Sequence, residues 1–399
     1  RGGYWGHSFV TVVFPVSQLP AIGYKLYTVA NSDSDMANEA GVKVNDPNIL
    51  VNDFFRVEVD PKTGGILSLY DKRNGCELVP EGKQLGVLEW LLEEPHGMTA
   101  WEIGKIKEQK YINEAEKVET IHKGPHIGTI RVHYKLNESR LTLDISLKAG
   151  LPRIEFTLNT YWVERGTPET GVPMLKAVFP MSVKSNKAKF EIPCGFMERP
   201  TNGEEVPALK WADLTGERLD GKGVAGATLV NESKYGHNIS ESEIKLTLLR
   251  SSYDPDPLPE VSQHEIKFAL IPHDEKWNPS DSAKVGYEFN HTIEVVATDV
   301  HNGDLPKENS FIAVEPKNIM LSGLKKAEDT DEIIIRLYET DGKATNAIVT
   351  IDPSLIKPNM VALETDTLER PLKNNSALLS NGVLKVSVPA FSIVTVKIS

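Results

Sequence analysis

Within residues 192–236 three short motifs follow one another: Glu198-Arg199-Pro200-Thr201, Trp211-Ala212-Asp213-Leu214 and Lys234-Tyr235-Gly236. Carboxylate, guanidinium, indole and phenol groups separated by turn-prone residues suit a hydroxyl-rich ligand. Vicinal hydroxyls take bidentate hydrogen bonds, and the C–H face of a pyranose packs on a flat apolar surface. The segment reads as loops forming a carbohydrate-facing rim above a β-sheet. Arg199 is expected to pair with Glu198 or Asp213, either to hold that rim or simply to fix a turn. Trp211 supplies an aromatic face, and Tyr235 either offers its phenol to a hydroxyl or packs at a strand end. A second loop, Pro95-His96-Gly97-Met98-Thr99-Ala100-Trp101-Glu102, carries the same chemistry. There Trp101 stacks on a sugar ring beside the Glu102 carboxylate, or else Trp101 is a core aromatic and Glu102 a solvated strand residue. Arg250 precedes Ser252-Tyr253-Asp254-Pro255-Asp256-Pro257, whose prolines hold the preceding residues extended. That corner binds hydroxyls or makes a domain contact.

Other chemistries find less support. His122 and His126 flank Gly124-Pro125; two histidines four apart bind a metal from one helix face, which Gly-Pro prevents. Asp254 and Asp256 give no basis for assigning an acid and a nucleophile, and no Gly-rich phosphate loop occurs. Lys and Arg total 44 against 56 Asp and Glu, a net charge of −12. With no polybasic run to reverse that sign, nucleic acid and anionic membrane are poor partners. Cys76 and Cys194 lack disulfide-framework or zinc spacing, which points to a reducing compartment and a cytoplasmic location. No apolar run approaches the some 18 residues of a membrane span. Asn-x-Ser/Thr triplets at Asn137, Asn231, Asn238, Asn290 and Asn374 carry little weight without a secretory signal.

At 399 residues the chain is long enough for two or three cores. Its pattern is alternation with a period near two, bounded by Gly, Pro, Asn and Asp clusters. Phe55-Arg56-Val57-Glu58-Val59 enters a turn at Asp60-Pro61-Lys62-Thr63-Gly64-Gly65 and returns through Ile66-Leu67-Ser68-Leu69-Tyr70, a hairpin. Further strands are expected at 129–136, 141–147, 154–161, 224–230, 244–249 and 266–271. Helical signals are few, with only weak ones at 113–120 and 322–329, so the fold class is all-β. Strands at 9–14 and 22–27 finish a small β domain, and polar residues 31–48 form a connecting loop. The strand pattern breaks near 300–309, and short strands at 333–338, 347–351, 361–364, 383–388 and 393–398 follow. The expected domains are thus 1–48, a remnant of a small β domain plus linker; 49–303, a large antiparallel sandwich; and 304–399, a small terminal β-sandwich.

A longer collinear series carries a family resemblance. Phe54-Phe55-Arg56-Val57-Glu58-Val59-Asp60, Gly64-Gly65-Ile66, Leu69-Tyr70-Asp71-Lys72-Arg73, Ala100-Trp101-Glu102-Ile103-Gly104, the three motifs of 192–236, Leu248-Leu249-Arg250 and Pro389-Ala390-Phe391 are together similar to the C-terminal β region of glycoside hydrolase family 38 α-mannosidases. The likeness runs from about Val16 onward and is greatest to the cytosolic and bacterial branch. It implies a large galactose-mutarotase-like super-sandwich flanked by small β-sandwich domains. It implies also that loops of the large sandwich complete a sugar pocket whose nucleophile, acid and zinc ion lie in an N-terminal α/β catalytic domain. No His-x-Asp pair and no His-His-Asp-Ala stretch occurs here. The expectation is therefore a non-catalytic β region, inactive alone. It holds no cofactor of its own, acts on α-mannosides with the catalytic domain of the same protein, and is able to self-associate. Two rivals remain: a stand-alone carbohydrate-binding or scaffolding protein, and a mutarotase-like enzyme with an acid/base pair among His96, His264 and Glu265.

Overall fold

The computed structural model describes residues 2–4, 7–9, 11–30 and 41–399. Antiparallel sheets account for most of it. In Ile154–Trp162 every second residue is buried and the intervening ones face outward, as expected when a pleated strand covers a core with one face. Two large sheets enclose that core. One has six strands in the order Ile106–Ile112, Val87–Glu93, Val172–Pro180, Glu243–Arg250, Gly236–Ser240 and Asn202–Pro207. The other is ten-stranded and runs from Lys117–Lys123 through Ile127–Leu136, Ser139–Lys148, Ile154–Trp162, Ser262–Asp274, Val224–Asn231, Trp211–Arg218 and Lys187–Ile192 to Gly195–Pro200, with Val183–Lys184 paired at the side.

Between the sheets Phe156 stacks on Phe268 with ring centroids 5.1 Å apart, and Phe179 meets Phe156 edge-on at 5.4 Å. All three are fully buried. Truncating Phe268 to Ala would remove about 3–5 kcal/mol of stability. A five-stranded sheet from Lys43–Asp46 to Cys76–Glu77 packs its Leu50, Phe55, Val57 and Leu69 into the same core. Its hairpin of Phe55–Val59 with Ile66–Asp71 is the one read from the sequence, and Gly64 turns it with φ +77°. Two four-stranded sheets between Ile312–Glu315 and Ile393–Ile398 enclose a separate apolar cluster.

The structure departs from the expectation in three places. Lys43–Asp46 is a strand rather than loop, while residues 31–40 lie outside those described. Residues 11–14, expected to continue a strand from 9, have no strand pairing, and the strand within 22–27 is confined to Gly23–Lys25, paired with Glu308–Ser310. An α-helix, Pro279–Asn290, had no counterpart in the sequence reading. Its buried residues are Ser280, Ser282, Ala283 and Gly286, and only the part-buried Val285 and Phe289 add larger apolar contacts, a faint stripe. Its start is nonetheless coded: Pro279 fits the first helical position, and the Asn278 N–H donates to the Asp281 carboxylate at 3.0 Å. The weak helical signals at 113–120 and 322–329 form no helix; 117–120 lies on the strand Lys117–Lys123 and 322–326 on Ile319–Lys326.

Candidate functional site

Four of the candidate residues, His96, Trp101, Glu102 and Arg250, meet at one end of the six-stranded sheet. Val87–Glu93 and Glu243–Arg250 finish there, and the loop between Glu93 and Ile106 covers it. Glu93 is fully buried at the centre. Arg250 clamps it with both arms, Nε donating to Oε1 at 2.6 Å and Nη2 to Oε2 at 2.8 Å. The rest of the guanidinium holds the loop: Nη2 donates to the Glu102 carbonyl at 2.6 Å and Nη1 to the Thr99 carbonyl. Glu93 Oε2 also accepts the Gly104 N–H at 2.6 Å and faces His96 Nε2 at 3.0 Å. The other His96 nitrogen meets the Gly97 carbonyl at 2.8 Å.

The opposite wall of the loop is fixed by residues 253 and 254. The Tyr253 hydroxyl donates to the His96 carbonyl at 2.5 Å, and Asp254 Oδ2 accepts the Met98 N–H at 2.8 Å. Thr99 Oγ1 accepts the N–H groups of Tyr253 and Asp254 at 3.0 and 2.9 Å. Gly104 has no alternative here, since a Cβ would lie 2.4 Å from the His96 ring. This bracing leaves Trp101 68 % exposed, with Glu102 and Met98 also outside. A rigid indole beside a carboxylate, presented without a disordered loop to freeze, is suited to stacking on a sugar ring. Tyr235, 53 % exposed, is not joined to this loop by any hydrogen bond among the described residues; it precedes Gly236–Ser240, which begins level with Thr247. The Tyr235 carbonyl faces Nδ1 of the fully buried His237 at 3.3 Å, and burial pushes the His237 imidazole down to about 4.

The remaining candidates lie elsewhere. Residues 192–236 are not a run of loops but mainly four strands, Gly195–Pro200, Asn202–Pro207, Trp211–Arg218 and Val224–Asn231. Trp211 is 1 % exposed, packed beneath the helix with Val230, Ala269 and Ile271, so it offers no face to a ligand. Asp213 is buried as well. It accepts hydrogen bonds from Thr215 and Thr228, each at 2.7 Å, and lies 2.8 Å from His273 Nε2. Burial alone would raise its carboxyl, but His273 and the two hydroxyls outweigh that and hold it below the usual range. The His273 ring stacks on Trp277 at 4.9 Å, and the Trp277 indole N–H donates to Ser282 at 2.8 Å. This is a docking network for the helix.

Arg199 pairs with neither expected partner. Asp213 is engaged as described, and Glu198 reaches Lys187 at 3.4 Å. The Arg199 guanidinium instead sits 4.9 Å over the Phe190 ring, with Nη1 buried and unpaired, and burial lowers its pKa. Arg250 is wholly occupied by Glu93 and the loop carbonyls, so it positions the rim. His264 and Glu265 cannot cooperate with His96 as an acid/base pair. Adjacent strand residues face opposite ways, and His264 bonds the Glu260 carbonyl at 2.7 Å while Glu265 pairs with Lys267 at 2.7 Å.

A metal fits poorly. Among the described residues no three His, Cys, Asp or Glu side chains gather as a metal site, and His122 Nδ1 is taken by Thr129 at 3.1 Å. A zinc ion therefore has no donor set among the described residues. Glu93, the carboxylate at the centre of the brace, has no place among the sequence candidates: it lies 157 positions from Arg250, and only its position at the end of a strand otherwise rich in Leu hints at a buried charge.

Comparison with known proteins agrees with this architecture. The glycosyl hydrolases family 38 C-terminal domain matches residues 50–258, and the family 38 C-terminal beta sandwich domain matches residues 318–396. Alpha-mannosidase 2C1 of Homo sapiens is 26 % identical over 361 residues, covering 87 % of this chain and 33 % of that protein. Alpha-mannosidase of Saccharomyces cerevisiae is 26 % identical over 337 residues, covering 74 % of this chain and 29 % of that one. The chain thus spans about a third of the length of the curated relatives it matches. The crystal structure of an alpha-mannosidase from Enterococcus faecalis superposes with a TM-score of 0.72 at 14 % identity, over 90 % of this chain and 43 % of that one, a likeness of fold. With its first match alone spanning more than half of the sequence, the chain belongs to glycosyl hydrolase family 38 and comprises the C-terminal β region of such a protein.

Proposed function

We propose that this chain is the non-catalytic β region of a retaining, zinc-dependent α-mannosidase that removes terminal α-linked mannose, and that the loop of residues 94–105 forms part of the wall of its sugar pocket. The relatives' names supply the substrate class. The observation that carries the rim is the exposed Trp101 on a loop braced by the Glu93–Arg250 pair. A loop ordered before the sugar arrives loses little entropy on binding, and an indole face helps keep water from the reacting centre. Nucleophile, acid and metal belong to a part of the protein outside this chain. Cys76 and Cys194, both free, support a reducing compartment such as the cytoplasm.

Two assays test this reading. The purified 399-residue chain is expected not to turn over p-nitrophenyl α-mannoside with or without zinc; zinc-dependent hydrolysis would overturn it. In the enzyme that includes the catalytic part, Trp101→Ala is expected to lower kcat/KM by roughly tenfold, about 1.4 kcal/mol of lost transition-state binding. Unchanged kinetics would remove Trp101 from the pocket.

A further inference from the structure

The outer face of the six-stranded sheet, turned away from the core, carries a polar band that crosses all six strands, in register over the first four and again over the last three after a step of two residues along the fourth. Tyr111 pairs with Glu89, Glu89 with Lys176 and Lys176 with Thr247; on the next strands Lys245 pairs with Asn238 and Asn238 with Glu205. Neighbouring strands lie about 4.8 Å apart, so the band is about 24 Å long.

Its polar groups are held from below. Glu89 is fully buried and binds Lys245 Nζ at 2.9 and 3.1 Å, as well as the Gln109 amide. Lys176, its side chain 7 % exposed, binds Glu205, which also accepts the Thr247 hydroxyl at 2.5 Å. Burying a carboxylate and an ammonium costs several kcal/mol before their pairing is counted. A sheet face that only had to meet water would gain nothing from burying them. What the arrangement achieves is order: Lys245, Gln109 and Glu205 reach the surface with their heads fixed.

We propose that this band is a second carbohydrate subsite, in which Tyr111, Gln109, Lys245, Asn238 and Glu205 bind hydroxyl groups of a neutral oligosaccharide. The proposal rests on the α-mannoside reading of the Trp101 loop and extends it to sugars beyond the terminal one. Glu89 and Glu93 point to the same face four residues apart, so band and brace are about 13 Å apart along one strand. A short oligosaccharide held at the rim reaches the band. Charge favours a neutral ligand: Glu89, Glu205 and Glu243 outnumber Lys176 and Lys245, and each ammonium is already paired. Tyr111, 47 % exposed at the band's end, provides the apolar platform.

Calorimetric titration of the 399-residue chain with methyl α-mannoside and with a linear α-linked mannotriose tests the band. The trisaccharide is expected to bind roughly tenfold tighter than the monosaccharide. Tyr111→Ala and Asn238→Ala, both surface changes that leave the buried pairs intact, are expected to weaken the trisaccharide roughly fivefold and leave the monosaccharide unaffected. Trp101→Ala weakens both ligands. Equal affinity for the two sugars, no heat from the trisaccharide, or a trisaccharide affinity indifferent to both band substitutions overturns the subsite. A chain whose trisaccharide binding responds to the band variants but not to Trp101→Ala would keep the subsite and reject the rim.

Discussion

Replacing Arg250 by Met tests the central physical claim, that one buried pair sets the geometry of the rim. Arg250 makes two bonds to Glu93 and one each to the carbonyls of Thr99 and Glu102. Without it the fully buried Glu93 carboxylate keeps the Gly104 N–H and His96 but loses its countercharge. Breaking a buried pair from one side costs about 3–5 kcal/mol, and we predict a loss of that size in urea unfolding of Arg250→Met. The double variant Glu93→Leu/Arg250→Met separates two effects. An apolar pair of similar volume removes the stranded charge, so most of the stability returns. The loop does not recover, because the donors to Thr99 and Glu102 are still gone. Hydrogen exchange of backbone amides at 97–104 should therefore rise in both variants, whatever their stability. Arg250→Met within about 1 kcal/mol of wild type, or a double variant whose loop amides stay as protected as before, would refute the brace.

Three further outcomes follow from buried groups. Asp213→Ala leaves His273 and two hydroxyls without their acceptor beneath the helix; we predict a loss of about 3–5 kcal/mol while trisaccharide affinity is kept, and an altered affinity with normal stability would place Asp213 in the binding site after all. His237 is neutral in the fold, its pKa lowered by burial from 6.5 to about 4. The unfolded chain takes up a proton there that the folded chain refuses, so stability falls as pH drops below 6.5 towards 4, by about 2 kcal/mol between pH 7 and pH 5. His237→Gln should lack that part of the acid sensitivity, and equal slopes of stability against pH in variant and wild type would exclude it. Glu339, fully buried in the terminal sandwich, accepts Asn318 Nδ2 at 2.8 Å and the N–H groups of Asp341, Gly342, Lys343 and Phe391 at 2.7 to 3.1 Å. Burial pushes its carboxyl up, but those donors win and hold it below 4.5. Its contribution is thus present above pH 4.5 and lost as pH falls through the lower folded value, and Glu339→Gln should destabilise the protein at pH 7 more than at pH 3; the reverse order would contradict the assigned hydrogen bonds.

What the sequence discloses and what it withholds divide along the range of the interactions. Alternation is local, so the hairpin at 55–71 and strands such as Val383–Val388 and Ile393–Ile398 could be read directly. The helix at Pro279–Asn290 could not, because its buried residues are Ser, Ala and Gly and only Val285 and Phe289 add larger apolar contacts, too few to stand out as an apolar period. Charge partners are longer in range still. Asp213 meets His273 across 60 residues and Glu93 meets Arg250 across 157, separations over which a single sequence holds no pairing signal.

The rim candidates rest on residue type, and residue type is ambiguous for the same reason. Trp101 and Trp211 are the same side chain, each followed closely by a carboxylate residue, Glu102 and Asp213. One lies outside and the other inside, because Trp101 follows the end of an inner strand on a braced turn whereas Trp211 begins a strand roofed by a helix. Only the register of the sheets distinguishes them. The same register lines up the polar band on the six-stranded sheet, whose members come from six separate strands between Glu89 and Thr247 and share no local motif. A function carried by such a band is invisible to motif reading and follows from strand order alone.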